Sequence, residues 1–403
     1  MGFEQSVKAE VPAPVARDRH VLVSALGVTQ ILAWGSSYYL PAVLAQPIAR
    51  DTGWSLASVV AGLSCGLLLA GLVSPITARL IQRHGGRPVL GASSLLLATA
   101  HLLLASATAY PLYMLAWLLM GLGMASGLYD AGFATLGRLY GQGARSAITN
   151  LTLFGGFAST VGWPLSAFLV EHGGWRIACL SYAAIHLAIC LPLHLWVIPP
   201  PPAAAPAPVR AERKEALPEG WARTRFILLA SIQTLAAMIA SMLSVHLLTL
   251  LQLRGVGLAA AVGLGALVGP SQVGARVAEL LIGRNRHHPI WTMLTSVSLL
   301  ATGVWLLLAS QTVVALALIL YGAGNGIHTI ARGALPLVLF DPQQYAALMG
   351  KLATPSLIVQ AAAPSIGALL LGVGGVNLVL AALALAATVN VGLCACLVAA
   401  VRR

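Results

Sequence analysis

Arg276 and Glu279 stand three residues apart, about one helical turn, within a run from 258 to 283 that has no other charged residue. A guanidinium in hydrocarbon costs about 2.5 kcal/mol or more unless it is paired or meets water. Its planar fork matches a carboxylate through two parallel hydrogen bonds, so one reading of Arg276 is a grip on an anionic substrate. The other is an ion pair of the fold or of a gate, formed with Glu279 or with Asp130. Asp130 lies eight residues before Arg138, and Arg276 eight before Arg284. A rise of 1.5 Å per residue therefore puts both about 12 Å inward from charged loops, in one layer. Asp130 is either the counter-charge of Arg276 or a proton carrier. Glu279, nearer the loop, reads as a gate residue.

Other polar side chains fall in the same or neighbouring apolar runs. His246 and His328 are each either a hydrogen-bonded packing residue or a proton relay, since imidazole titrates near neutrality. His328, Gln233 and Asn325 are also candidate substrate contacts, and Trp34, Tyr38 and Tyr39 could wall a binding site. Arg332 and Lys351 lie toward run ends, where long side chains reach back to water. Met238, Met242 and His246 recur every fourth residue and share a helical face. Thioethers with imidazole suit copper, but core packing is the simpler account, and no metal site or cofactor is expected.

The elements that must hold these residues follow from composition. Of 403 residues, 58% are hydrophobic and 8% charged, too little polar surface to cover a water-soluble core. Apolar runs of about 20 residues, each long enough for a hydrocarbon core of about 30 Å, recur twelve times. They are read as 21–45, 56–81, 89–107, 111–140, 147–170, 177–198, 226–252, 258–283, 290–310, 313–337, 346–371 and 378–401. The first follows about 20 polar residues and leads into further spans, which argues against a cleaved signal peptide. The formal charge of +12 does not imply nucleic acid, because the basic residues segregate. Arg50, Arg176 and Arg254 fall at one set of loops, whereas Arg79, Arg83, Arg87, Arg138, Arg145, Arg210, Arg213, Lys214, Arg223, Arg225, Arg284, Arg286, Arg402 and Arg403 fall at the other. That asymmetry predicts both termini in the cytoplasm and a multi-pass protein of the cell inner membrane. The five cysteines all lie inside spans and do not form a disulfide pattern.

Between the sixth and seventh spans, "PPPPAAAPAPVRAERKEALPEG" cannot cross a membrane and reads as a cytoplasmic linker. The expected organisation is an N-terminal tail over 1–20, a six-helix bundle over 21–198, the linker over 199–225 and a second bundle over 226–401. The halves resemble each other at an offset of about 200: Gly121, Gly123 and Gly132 of "GLGMASGLYDAG" fall on Gly322, Gly324 and Gly333 of "GAGNGIHTIARG", and Pro164 falls on Pro364. Parallel six-helix repeats are the architecture of carriers that rock around a site between their halves.

Over its full length the chain resembles the major facilitator superfamily. The loop after the second span, "QRHGGRP", is similar to the family signature through Arg83, Gly85 and Arg87, although Ala78 and Gln82 replace its first glycine and its acid. In the family this loop clasps helix ends, which makes Arg83 and Arg87 candidate gating residues. "AWGSSYYLPAVLAQPIARDTGWS" and "LYDAGFATLGRLYGQGARSAITNLTLFGG" resemble the monocarboxylate and oxalate:formate branch. There an arginine of the eighth span grips the substrate carboxylate, the place held here by Arg276. The fourth-span arginine of many proton-coupled relatives is replaced by Trp117, and Pro164 is not followed by the paired glycines of antiporters. The resemblance implies an all-α membrane protein of twelve helices in two pseudo-symmetric bundles. Its first, fourth, seventh and tenth spans line the cavity; its third, sixth, ninth and twelfth, read as free of acidic and basic side chains inside, face lipid. The expected function is secondary transport of a small organic anion by alternating access, as a monomer in the bilayer, with proton coupling open. The alternatives are efflux of drugs, metals or metalloids, and a non-transporting sensor or assembly factor. No phosphate-binding loop for ATP and no hydrolytic constellation is present in the sequence, so an enzyme is not expected.

Overall fold

The computed structural model describes residues 19–200, 220–283, 288–341 and 344–402, and among them every regular element is helical. Most of the expected linker (201–219), Arg284 and Arg286 lie outside the described residues. Ten helical stretches are long and apolar enough to cross a membrane. One of them, Ala144–Val197, turns back at Gly174, whose φ of 76° only glycine adopts without strain. Ser166 and Tyr182, sixteen residues apart, then share a hydrogen bond of 2.7 Å, which a straight helix could not allow. The eighth span, broken into Leu258–Gly265 and Val268–Gly283, supplies the twelfth passage. The outer surface is apolar, with Trp196, Leu281, Val373 and Leu385 each more than 60% exposed, as a lipid-facing belt requires.

Several spans that read as continuous are interrupted, and proline explains three of the sites. Proline lacks an N–H and crowds the carbonyl four residues earlier. The first span stops at Ser36 and resumes at Pro41, with residues 37–40 as a turn. The eighth breaks at residues 266 and 267, four and three before Pro270. In the sixth, the helix widens to a π-turn over His186–Cys190, where Leu191 N–H donates to the His186 carbonyl just ahead of Pro192. The fourth span breaks without proline, at Leu128 between Tyr110–Gly127 and Tyr129–Tyr140.

Two hydrophobic cores lie mainly within single halves: Trp117, Tyr113, Leu97 and Tyr182 centre one, and Leu243, Val304, Leu318 and Leu383 the other. A third, with Phe133, Ile148, Leu335 and Leu352, crosses between the halves. It lies toward the face that carries the described chain ends, here termed the terminal face. There the second span meets the eleventh through glycine: a Cβ at Gly350 would sit 2.7 Å from the Ser74 carbonyl oxygen and 2.9 Å from Pro75 Cα. Backbones this close gain dispersion contact that larger residues would prevent.

Gly350→Leu should therefore wedge the halves apart at the terminal face while leaving each bundle folded. In a cysteine-free variant carrying Ser74→Cys, thiol labelling of the now buried position 74 should speed up severalfold; unchanged labelling would show that this contact does not hold the face shut.

Candidate functional site

The eighth and tenth spans approach at backbone distance because Gly326 has no side chain; a Cβ there would lie 2.7 Å from Gln272 Cα. That approach exposes the Gly326 carbonyl to Arg276, whose Nε donates to it at 3.1 Å. Nη1 donates across the halves to the Thr152 carbonyl of the fifth span, also at 3.1 Å. Nη2 reaches Gln272 Oε1 and Thr329 Oγ1, both at 3.4 Å. Gly156 makes room for this seat, since any side chain there would collide with the guanidinium. Arg276 is 4% exposed, and all four acceptors are neutral.

Neither acid considered as its partner is used that way. Asp130 pairs with Arg332, bridging the fourth and tenth spans, so Arg332 does not extend to water as read from its place near a span end. Glu279 accepts from Thr292 Oγ1 at 2.8 Å and lies 4.0 Å from Arg145 of the fifth span. Glu279 is turned to the ninth span and Arg145, whereas Arg276 is held by the tenth span at Gly326 and by Thr152 of the fifth. Among the described residues, Arg276 has no carboxylate within ion-pair distance.

Aromatic residues gather beside this cation. Trp34 packs on Tyr38, Tyr39 and Tyr129 with ring centroids 5.4, 6.2 and 5.2 Å away. Tyr39 also meets Trp163 edge-on at 5.8 Å. Gln30 orients the group, accepting from Trp34 Nε1 at 3.2 Å and donating to the Gly127 carbonyl at 2.6 Å. The Thr152 carbonyl that Arg276 binds also accepts from Tyr129 Oη at 3.4 Å, and Tyr38 faces Ser241 and Ser244 of the seventh span. The first-span break thus turns Tyr38 and Tyr39 toward the interface between the halves.

The remaining candidates are dispersed. Gln233 is 2% exposed with neither amide atom hydrogen-bonded, an expensive condition for a buried amide. Asn325 is half-buried, its carbonyl accepting from Thr329 Oγ1 at 3.2 Å. His328 turns away from Arg276 to Ser296 of the ninth span, Nδ1 to Oγ 3.1 Å, inside the C-terminal bundle. His246 reaches the Pro364 carbonyl at 2.8 Å, and it and Met242 pack against Gly367, which accounts for that helical face by packing. Arg83 is exposed and Arg87 half-buried at the turn after the second span, where Gly85 has a φ of 80°. A cavity of 550 Å³ opens far from these groups, among the loops of the other face, lined by Arg254, Ser310 and Asn377.

The third and sixth spans depart from the reading that gave them no basic side chains inside. His101, His186 and His194 are all buried between these spans and the first. The sequence held a signal for them in the seven-residue spacing of Ser94 and His101 opposite Thr29 and Ser36.

Residues 26–286 match the Major Facilitator Superfamily. No curated protein matches the chain. Among solved structures it is similar to the human organic anion transporter MFSD10 (TETRAN), at 16% identity and a TM-score of 0.74, covering 94% of this chain and 100% of that one. It is also similar to the Escherichia coli fucose:proton symporter FucP, at 13% identity and a TM-score of 0.67, covering 94% and 99%. At such identities the likeness speaks for the fold. The family match covers more than half of the chain, which therefore belongs to the Major Facilitator Superfamily and is a membrane transporter.

Proposed function

We propose that the protein carries a small organic anion, a carboxylate, by alternating access, with Arg276 as the anion's anchor. The observation that supports this most is the state of Arg276: a buried cation on four neutral acceptors, while Asp130 and Glu279 are engaged by other arginines. Carbonyl and hydroxyl oxygens satisfy its hydrogen bonds but not its charge, so an incoming carboxylate gains a full Coulombic partner in a low-dielectric site. Trp34, Tyr38 and Tyr39 then supply a wall for the apolar body of the substrate. The pattern of "AWGSSYYLPAVLAQPIARDTGWS" points the same way, toward the monocarboxylate and oxalate:formate branch.

In this reading the terminal face is cytoplasmic, because Arg79, Arg83, Arg87, Arg138, Arg145, Arg223 and Arg225 all lie toward it. Asp130–Arg332 and Arg145–Glu279 join the two halves there and act as a gate that must open to release substrate inward. The carrier works as a monomer in the inner membrane, with the linker over 199–225 on the cytoplasmic side. A lone arginine suited to an anion speaks against a cationic drug or metal as cargo.

The anchor is tested by thermal stabilisation of purified protein against a panel of aliphatic, dicarboxylic and aromatic carboxylates, amines and metal ions. A carboxylate should raise the unfolding midpoint, and Arg276→Lys should weaken that ligand's binding by about 1 to 3 kcal/mol by losing the bidentate contact. Stabilisation by amines or metals alone, or equal affinity in Arg276→Lys, would reject the anchor.

The gate is tested by a charge-reversal cycle. Asp130→Arg and Arg332→Asp should each destabilise the protein, and the double reversal should recover about 1 to 3 kcal/mol relative to the sum of the two. Additive losses, measured as unfolding midpoints, would mean that the pair contributes no coupling between the halves.

A further inference from the structure

Three helices of the N-terminal bundle each present two polar residues to one another: Thr29 and Ser36 on the first span, Ser94 and His101 on the third, His186 and His194 on the sixth. The first two pairs are spaced by seven, close to two full turns. The sixth-span pair is spaced by eight, which in a plain α-helix would turn the second residue about 80° away. The π-turn at His186–Cys190 absorbs the extra residue and returns both rings to one face. Two rungs result, about 10 Å apart along the bundle. In one, His194 meets Ser94 Oγ at 2.9 Å and Thr29 Oγ1 at 3.0 Å. In the other, His186 Nε2 meets Ser36 Oγ at 2.8 Å, and His101 stacks on His186 with centroids 5.6 Å apart.

The rungs differ in what their partners can do. A hydroxyl either donates or accepts, so both nitrogens of a neutral His194 are satisfied. His101 instead lies between two carbonyl oxygens, Leu97 O at 2.6 Å from Nδ1 and Ser36 O at 2.9 Å from Nε2. Carbonyls only accept, so both contacts are hydrogen bonds only if both nitrogens carry hydrogen. A neutral ring would set one lone pair against a carbonyl lone pair in a wholly buried site. The Ser36 carbonyl is available because the first span ends there: Leu40 N–H, its partner in an unbroken helix, donates to Ser37 instead. The titratable groups facing His101 are His186 and Tyr182, both of the sixth span, with rings 5.6 Å away. The first span offers Ser36 and the fifth Ser166, which bonds Tyr182; among the described residues the fourth span, packed on the third through Gly123 at Leu97, brings no titratable contact to His101, and no carboxylate lies within ion-pair distance.

We propose that His101 is a proton-binding site of this transporter, closed by the carbonyl oxygens of Leu97 and Ser36, and that it couples protonation to the break in the first span. The break carries Tyr38 and Tyr39 into the substrate region, so moving it to reach or release His101 moves that wall. By linkage, a proton that binds best when Ser36 faces His101 favours the conformation seen here, with its terminal face closed. The coupling step rests on the carrier reading given above; the proton site does not.

Protein labelled with 15N-histidine and 13C-carbonyl serine, held in lipid nanodiscs near about pH 6.5, should show a protonated ring nitrogen correlated with the Ser36 carbonyl. His101→Gln should remove that signal together with a second protonated nitrogen of the same ring. A bare nitrogen facing either Ser36 or Leu97 throughout the range in which histidine titrates would overturn the site, and both ring-nitrogen signals are readable in unsubstituted protein should His101→Gln not fold. For the coupling, labelling of Ser74→Cys, taken relative to a fully exposed cysteine at the same pH to remove the thiol's own titration, should slow severalfold on acidification and lose that response in His101→Gln. A response that persists in His101→Gln would overturn the coupling. Neither readout involves Arg276 or a substrate, so failure of the anion anchor is seen separately, in the carboxylate panel.

Discussion

A guanidinium inside a helical bundle must find acceptors for its donors, and Arg276 finds them on both halves at once. Its bonds to Gly326 and Thr152 need bare backbone, and bare backbone at helix contacts needs glycine. Gly326 lets the tenth span touch the eighth, and Gly156 leaves space for the side chain. The cation therefore depends on close packing between halves, and on the anchor reading proposed above that packing shapes a site that an anion would complete. Replacing neutral acceptors by a carboxylate would loosen the tie to Thr152, a direct way for a ligand to alter the contact between the bundles.

Chain breaks give the same region its directionality. Pro41, Pro192 and Pro270 each follow a disturbed stretch of helix, at 37–40, 186–190 and 266–267, and each disturbance has a use. Pro41 frees the Ser36 carbonyl and turns Tyr38 and Tyr39 inward; Pro192 brings His186 and His194 into register; Pro270 separates the segment bearing Arg276 from the outer part of its span. In a membrane these breaks are tolerated because the freed groups are satisfied by neighbours rather than by water, as His101 satisfies Ser36.

Charge is distributed by the same economy. Asp130, Arg145, Glu279 and Arg332 pair between halves near the terminal face, where water reaches them in part and the pairs can break. Deeper groups, Arg276 and the histidines, rest on neutral oxygens. Ion pairs between moving bodies at the rim and neutral acceptors at the centre suit a protein that must exchange one set of contacts for another.

Composition and hydropathy alone determined the helical class and the twelve passages, because burial in hydrocarbon demands apolar length and leaves its mark in every window. The glycine and proline correspondences at an offset of about 200 likewise exposed the two halves, and Arg276 stood out because a charge in such a run needs a reason. Partnership was not legible. Arg332 lies 202 residues from Asp130, and Thr152 lies 124 from Arg276, so neither contact leaves a local pattern. Nor did spacing alone place His186 and His194 on one face, since eight residues do so only across a π-turn. Those outcomes were decided by rotation of each helix about its axis, which many weak packing contacts set together and no single window of sequence contains.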